Sequence, residues 1–307
     1  MSTQWRGRRE RGSIGAIRLI IWLALHVGRG LCRVLLVPIC GYFFVTAPQT
    51  RRASQQFLNR ALGRRATWRD TFRHLFVFST TLLDRIYLFH GRQREFEIEV
   101  TNEQAFRDAI AERRGCLLLG SHLGSFEFLG IVGSVEKKLA INMVMNIDDG
   151  ARLASLIRGE QSAMPYKIIP LGQPGSMLQV KECLDRGEVV GILADRVYAN
   201  EATQIRAFMG YPAHFSLSPF RLAKVTGAPV VSVFGLFRGG RHYEIAFELL
   251  ADGVNDSRSK ISSAPSMALS PRSTALNDCM ALYVGSLERH ARQYPYNWFN
   301  FYDYWSH

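Results

Sequence analysis

The chain has 307 residues, 47% of them apolar, and 38 basic against 26 acidic side chains give a formal net charge of +12. That apolar content suffices for a buried core and excludes a disordered chain. The charge is localised: residues 1–94 carry seventeen Arg, no Lys and three acidic residues (Glu10, Asp70, Asp84), whereas residues 95–307 carry 21 basic and 23 acidic residues. A basic third that is also rich in large apolar residues suits an anionic membrane surface and argues against nucleic acid as partner.

Residues 1–12 are polar and Arg-rich and read as a disordered basic tail. Residues 13–46 contain IGAIRLIIWLALHVGRGLCRVLLVPICGYFFV, broken by Arg18, Arg29 and Arg33. A spanning helix wants ~20 predominantly apolar residues. The interruptions favour a membrane-associated interfacial helix or a short re-entrant hairpin, with its Arg side chains snorkelling to headgroups, over a single tilted span. Residues 47–94 are poor in Gly and carry recurring apolar positions, which predicts a helical segment.

From residue 95 to 307 the pattern alternates. Strands are predicted at Phe96–Val100, Cys116–Ser121, Ile141–Asn146, Ile168–Leu171, Val189–Ala194, Val230–Phe237 and Tyr243–Leu250, the last two as an antiparallel pair. Helices are predicted at Glu103–Glu112, Ser125–Val135, Asp149–Gln161, Ser176–Asp185, Leu217–Val225 and residues 272–293. Such alternation implies an α/β domain with a mixed, largely parallel sheet flanked by helices. Ala251–Ser270 is Ser-rich and reads as a loop, and Phe208–Phe215 as an apolar loop. His214 in that loop has no evident partner. The aromatic ending, Tyr294–Trp305, is either core or a lipid-facing belt. The cysteines (Cys32, Cys40, Cys116, Cys183, Cys279) are scattered and predict free thiols in a reducing compartment. Neither a metal-ligand spacing nor a phosphate loop occurs, so no metal or cofactor is expected.

The chemistry gathers after the strands. His122 follows Cys116–Ser121, and Glu127 stands five residues on; Gly124 permits a bend between them. A His that takes a proton from a hydroxyl, oriented by a carboxylate, is a general-base pair. In α/β sheets, sites collect at the carboxyl ends of strands. Asn146 and the pair Asp195-Arg196 end two further strands there, and Arg158 on the helix after Asn146 reaches the same edge. A base, a carboxylate and guanidiniums suit acyl transfer to a hydroxyl or binding of a phosphorylated substrate. No G-x-S-x-G elbow is present, so a covalent acyl-enzyme is not indicated.

In this order the blocks GSHLGSFE, LADR, FMGYPAHFSLSPFRLAKVTGAPVV and PYNW resemble the lipid A biosynthesis lauroyl/myristoyl acyltransferases of the lysophospholipid acyltransferase superfamily, over roughly residues 10–305. The resemblance implies transfer of a fatty acyl chain from an acyl carrier protein thioester to a hydroxyl of a lipid or glycolipid acceptor. The place implied is the cytoplasmic face of a bacterial inner membrane. His122 is then the base, Glu127 its orienter, and Arg158 and Asp195 substrate-site residues. Two blocks depart from the family pattern. Asp195-Arg196 stands where Asp-Gln is usual, and Asn300-Phe301-Tyr302-Asp303-Tyr304 stands where basic residues follow the tryptophan. The ending resembles a branch associated with aryl-polyene-type lipid pathways. A carboxylate at Asp303 in place of cations points away from a bis-phosphorylated acceptor. The competing reading is a catalytically degenerate, membrane-associated lipid-binding protein.

Overall fold

The fold starts as four helices: Ile14–His26 (α1), Arg29–Thr46 (α2), Pro48–Leu62 (α3) and Trp68–Phe89 (α4). The computed structural model describes residues 14–111, 115–126, 128, 139–145, 166–198, 201–252 and 271–305. The tail at residues 1–12, most of the helix expected at Ser125–Val135, the helix at Asp149–Gln161 and most of the loop at Ala251–Ser270 lie outside the described residues. The long helix α4 is fixed by a reciprocal cap. Thr67 Oγ1 accepts from Asp70 N, and Asp70 Oδ2 accepts from Thr67 N at 2.8 Å.

The strands follow as Glu97–Thr101 (β1), Cys116–Gly120 (β2), Ile141–Met145 (β3), Lys167–Pro170 (β4), Val189–Leu193 (β5), Thr203–Phe208 (β6), Tyr211–Ser216 (β7), Val230–Gly239 (β8) and His242–Ala251 (β9). Glu103–Ala111 (α5), Ser176–Asp185 (α6), Ser218–Thr226 (α7) and Pro271–Gln293 (α8) complete the described helices. Seven strands form one sheet in the order β1-β9-β8-β2-β5-β3-β4. β8, β2, β5, β3 and β4 are mutually parallel; β9 runs antiparallel to β8, and β1 parallel to β9. This is the mixed, largely parallel sheet that the alternation implies.

β2 sits centrally and is buried on both faces. Leu117 and Leu119 enter the core shared with α3, α6, α7 and α8; Cys116 and Leu118 enter the core shared with α1, α2, α4 and α5. That is the period-2 division of a two-sided strand. The expected apolar loop over Phe208–Phe215 is instead a β-hairpin, β6–β7, turning at Met209 (φ 56°) and Gly210 (φ 82°). Positive φ at both turn residues gives the twist a two-residue hairpin needs. His214 has a partner after all, Thr203 Oγ1, 3.2 Å from its Nδ1. The aromatic ending is core: Trp298 is fully buried against Phe57, Phe208 and Tyr304. Arg60 of α3 lies between the rings of Tyr211 and Trp305, at 4.0 and 3.8 Å.

The expectation that Arg29 snorkels to headgroups is overturned. Its side chain is 5% exposed and makes a bidentate pair with fully buried Asp84 of α4, Nε–Oδ1 2.6 Å and Nη2–Oδ2 2.7 Å. Tyr243 Oη donates to the same carboxylate at 2.7 Å. Arg33 turns to the ring of Phe76, 5.7 Å from its centroid, whereas Arg18 is exposed. The partner of Arg29 stands 55 residues away, so the local pattern could not reveal it.

A second buried contact joins α3, α4 and the C-terminal segment. His74 Nε2 donates to the Trp298 carbonyl at 2.6 Å, which leaves Nδ1 to accept from Ser54 Oγ at 2.8 Å. Full burial depresses the His74 pKa to about 4. The unfolded chain binds this proton below about pH 6.5 and the folded one only near its own lower value. Stability is therefore complete above the unfolded pKa and falls as pH drops from there toward about 4, by up to roughly 3 kcal/mol. Urea titrations across this range should show that slope, and His74→Gln should flatten it; equal slopes in the two proteins would contradict the assignment. Arg29→Ala leaves the Asp84 charge buried without its guanidinium and should cost roughly 3–5 kcal/mol in the same assay. A loss below about 1 kcal/mol would mean that the pair behaves as a surface ion pair.

Candidate functional site

The site begins where β2 ends. After Gly120 the chain turns at Ser121 and His122, then runs beside the C-terminal segment: Phe299 N donates to the His122 carbonyl at 2.8 Å, and Gly124 N to the Asn297 carbonyl at 2.7 Å. Ser125 N donates to the Gly235 carbonyl of β8, also at 2.7 Å. Gly124 has φ +78°, and a Cβ there would lie 2.0 Å from the Gly235 oxygen; a Cβ on Gly235 would lie 2.3 Å from the Ser125 oxygen. Only this glycine pair lets the turn press onto β8. Phe126 then folds back over Gly120 and Gly191, where added Cβ atoms would meet its ring at 2.4 and 2.7 Å. The ring becomes part of the site's floor.

Asp195 follows β5, the neighbour of β2, and its backbone carbonyl accepts from Tyr304 Oη at 2.7 Å. Its carboxylate is fully buried. Oδ1 lies 2.9 Å from His122 Nδ1, and Oδ2 accepts from His122 N at 3.0 Å and from Asn300 Nδ2 at 2.8 Å. A carboxylate only accepts, so Nδ1 carries the proton and Nε2 is the basic nitrogen of the neutral ring. Burial alone would raise the Asp195 pKa. The His122 charge, its ring and backbone hydrogen bonds and the Arg196 charge outweigh it and hold the carboxyl below its ordinary value. Arg196 Nε donates to Asn300 Oδ1 at 2.7 Å, so Asn300 bridges the Asp195 carboxylate and the neighbouring guanidinium.

His122, 22% exposed at its side chain, opens on a cavity of about 440 Å³. One wall is apolar and lies over the sheet: Met143, Met145, Leu171, Met177, Ile192 and Leu222. The lining also includes Phe78 and Leu82 of α4 with Phe299, Phe301 and Tyr302 of the C-terminal segment. The charged lining, among the described residues, is Arg85, Arg196 and Glu201. The amides of Leu123, Gly124 and Ser125 are all engaged, with Ser121 Oγ, Asn297 and Gly235. That stretch therefore offers no ready oxyanion hole.

Of the residues singled out in the sequence, the structure brings His122, Asp195 and Arg196 together. Glu127, Asn146 and Arg158 lie outside the described residues. Asp195, expected at the substrate, does not line the cavity; its carboxylate is directed to His122 and Asn300. Asp303, expected to repel an acceptor phosphate, does not line it either and lies near Arg60, whose charge it favours. The sequence reading missed Asn300 and Asn297, whose side chain exchanges hydrogen bonds with the Phe237 backbone at 2.8 and 3.1 Å. The available signal was two amides in a run of aromatics, an odd choice for a core unless they meet buried partners.

The comparison with curated proteins gives no match. The family model described as bacterial lipid A biosynthesis acyltransferase matches residues 81–306, a span that contains His122, Asp195, Arg196 and Asn300. The chain therefore belongs to the bacterial lipid A biosynthesis acyltransferase family.

Proposed function

We propose that this protein moves a fatty acyl chain from an acyl carrier protein thioester to a hydroxyl of a lipid or glycolipid at the cytoplasmic face of a bacterial inner membrane. Acyl transfer to a lipid is the family's activity. The observation that carries the finer reading is the His122–Asp195 bond at the mouth of a largely apolar cavity. Nε2 of His122 takes the acceptor hydroxyl proton while that oxygen attacks the thioester carbonyl carbon. The tetrahedral intermediate collapses, the carbon–sulfur bond breaks, and the departing sulfur receives the proton from the imidazolium. Asp195 holds the tautomer and stabilises the imidazolium. Arg85 and Arg196 are the cations assigned to the developing oxyanion or to a substrate phosphate. The apolar wall over the sheet takes the donor's acyl chain.

The resemblance gives the orienting role to Glu127; the bond geometry favours Asp195 for it. Glu127 stays in the proposal as a second carboxylate of the base, with Asn146 and Arg158 assigned to substrate. His122→Ala should lose roughly 10²–10⁴-fold in turnover. Asp195→Asn should lose a similar factor and move the acid limb of the pH–rate profile to lower pH, since the imidazolium loses its anion. If Asp195→Asn kept wild-type turnover and profile while Glu127→Gln lost both, the orienting role would return to Glu127. His122→Ala retaining more than about half of turnover would exclude a base of the usual ~10²-fold effect.

Membrane association is proposed through α1 and α2, lying in the interface. Among the described residues, α2 is the one helix long and apolar enough to cross a bilayer. Its inner face, Arg29, Cys32, Leu36 and Cys40, is buried. It is tied to α4 at both ends, by Arg29–Asp84 and by Cys40 Sγ on Ser79 Oγ at 3.3 Å. α4 carries Arg69, Asp70, Arg73, Asp84 and Arg85, charges that hydrocarbon does not accept. The pair of helices therefore lies along the body and presents Leu19, Trp22, Val34 and Val45 outward. Deleting residues 1–46 is a poor test, because it strands Asp84. Trp22→Glu with Val34→Glu should instead weaken sedimentation with phosphatidylglycerol-containing vesicles by roughly 10²-fold at an unaltered melting curve. High salt alone should release little. Full release by salt, or wild-type binding by the double variant, would contradict insertion.

A further inference from the structure

Beside the site's cavity lies a second one, also of about 440 Å³, between α1, α2 and α4. Its walls are hydrocarbon, with Ile17 and Ile21 from α1, Ile39 and Phe43 from α2, and Leu75 and Ile86 from α4. The Cys40 thiol and Ser79 hydroxyl on its wall are bonded to each other. Phe78, Leu82 and Phe301 line both cavities, so the two are neighbours across a shared wall of three side chains. The helices that form the groove expose Leu19, Trp22 and Val34 on their outer faces.

We infer that this groove is a binding site for a hydrocarbon tail of the lipid acceptor, which reaches from the bilayer past Phe78, Leu82 and Phe301 to set the acceptor hydroxyl at His122. The inference rests on the acyltransferase reading. Apolar walls of this kind hold hydrocarbon better than water, which needs two to four polar partners. At the ~30 Å³ that one water occupies, the groove has room for on the order of a dozen methylenes. The site's own cavity has further apolar lining, Met145, Leu171, Met177 and Leu222, that the groove does not share, and that lining suits the donor. An acceptor resident in the membrane keeps its tails on the side of the apolar helix faces. Its tail therefore belongs under α1 and α2.

The test uses the full chain on phosphatidylethanolamine–phosphatidylglycerol vesicles that contain a phosphatidylethanolamine with a diazirine in its tail. Photolysis and mass spectrometry should place adducts on Ile17, Ile21, Ile39 or Phe43. Ser79→Trp fills the groove and should remove those adducts while leaving adducts on Leu19 and Val34. With a total inner-membrane lipid extract as acceptor pool, Ser79→Trp should raise the extract concentration for half-maximal rate about tenfold, equivalent to losing roughly two buried methylenes. The donor KM should move much less. Thr50→Trp gives the same test from another wall position if the first variant melts early. Adducts confined to the outer face, or a rise in donor KM in place of the acceptor's, would overturn the inference. Groove adducts in a wild-type protein that transfers no acyl group would sink the enzymatic reading and uphold the lipid site.

Discussion

A fully buried carboxylate organises this molecule. Asp195 is withdrawn from water, and an ionised carboxylate there is tolerable only when its lone pairs are met. Three donors meet them: the His122 ring, the His122 amide and the Asn300 amide. They come from the end of β2 and from a C-terminal segment 105 residues beyond Asp195. The constraint propagates outward. The β2 turn must press onto β8, which requires Gly124 and Gly235. The C-terminal segment must thread beside that turn, which the Asn297 and His74 hydrogen bonds secure. A histidine with a fixed tautomer is the product of that convergence.

The Arg29–Asp84–Tyr243 cluster plays the corresponding part on the helical side. It joins α2, α4 and β9, so residues 14–94 are not an appendage to the sheet. Ala24, Cys32 and Leu36 pack in the same core as Val231 and Phe247, and Phe57 and Leu58 in the same core as Leu117. The structure thus uses one of its basic residues internally, while Arg18 stays exposed on α1. Net charge does not assign individual arginines; their partners do.

The sheet was legible because strands buried on both faces show as unbroken apolar runs, and those over β2, β3 and β5 fall within a residue of the observed bounds. β6–β7 was not, because Gly210 and Pro212 interrupt it and its exposed face is mixed; a hairpin covering one edge of a core reads locally as a loop. His122 stood out because a strand–His–Gly pattern is local. Its pairing with Asp195 did not, because the two residues, though both singled out at one sheet edge, stand 73 residues apart. The same holds for Asn300, hidden among aromatics. Sequence spacing pairs a histidine with the carboxylate nearest in the chain, and sheet topology pairs it with the one at the end of the adjacent strand.

That topology also bears on the proposed meeting of a lipid acceptor and an acyl donor at one histidine. Among the described residues, the wall over the sheet is supplied by β3, β5, α6 and α7, all on the body of the protein. Further lining is supplied by α4, against which α1 and α2 pack, and by the C-terminal segment, and Phe78, Leu82 and Phe301 among it also line the groove. His122 lines the same cavity, on the turn after β2. Because His74 ties α4 to the Trp298 carbonyl, and the next residue, Phe299, bonds the His122 carbonyl, the helical wall and the base are held in one register. A displacement of α4 by lipid packing would therefore be transmitted to His122 through two hydrogen bonds.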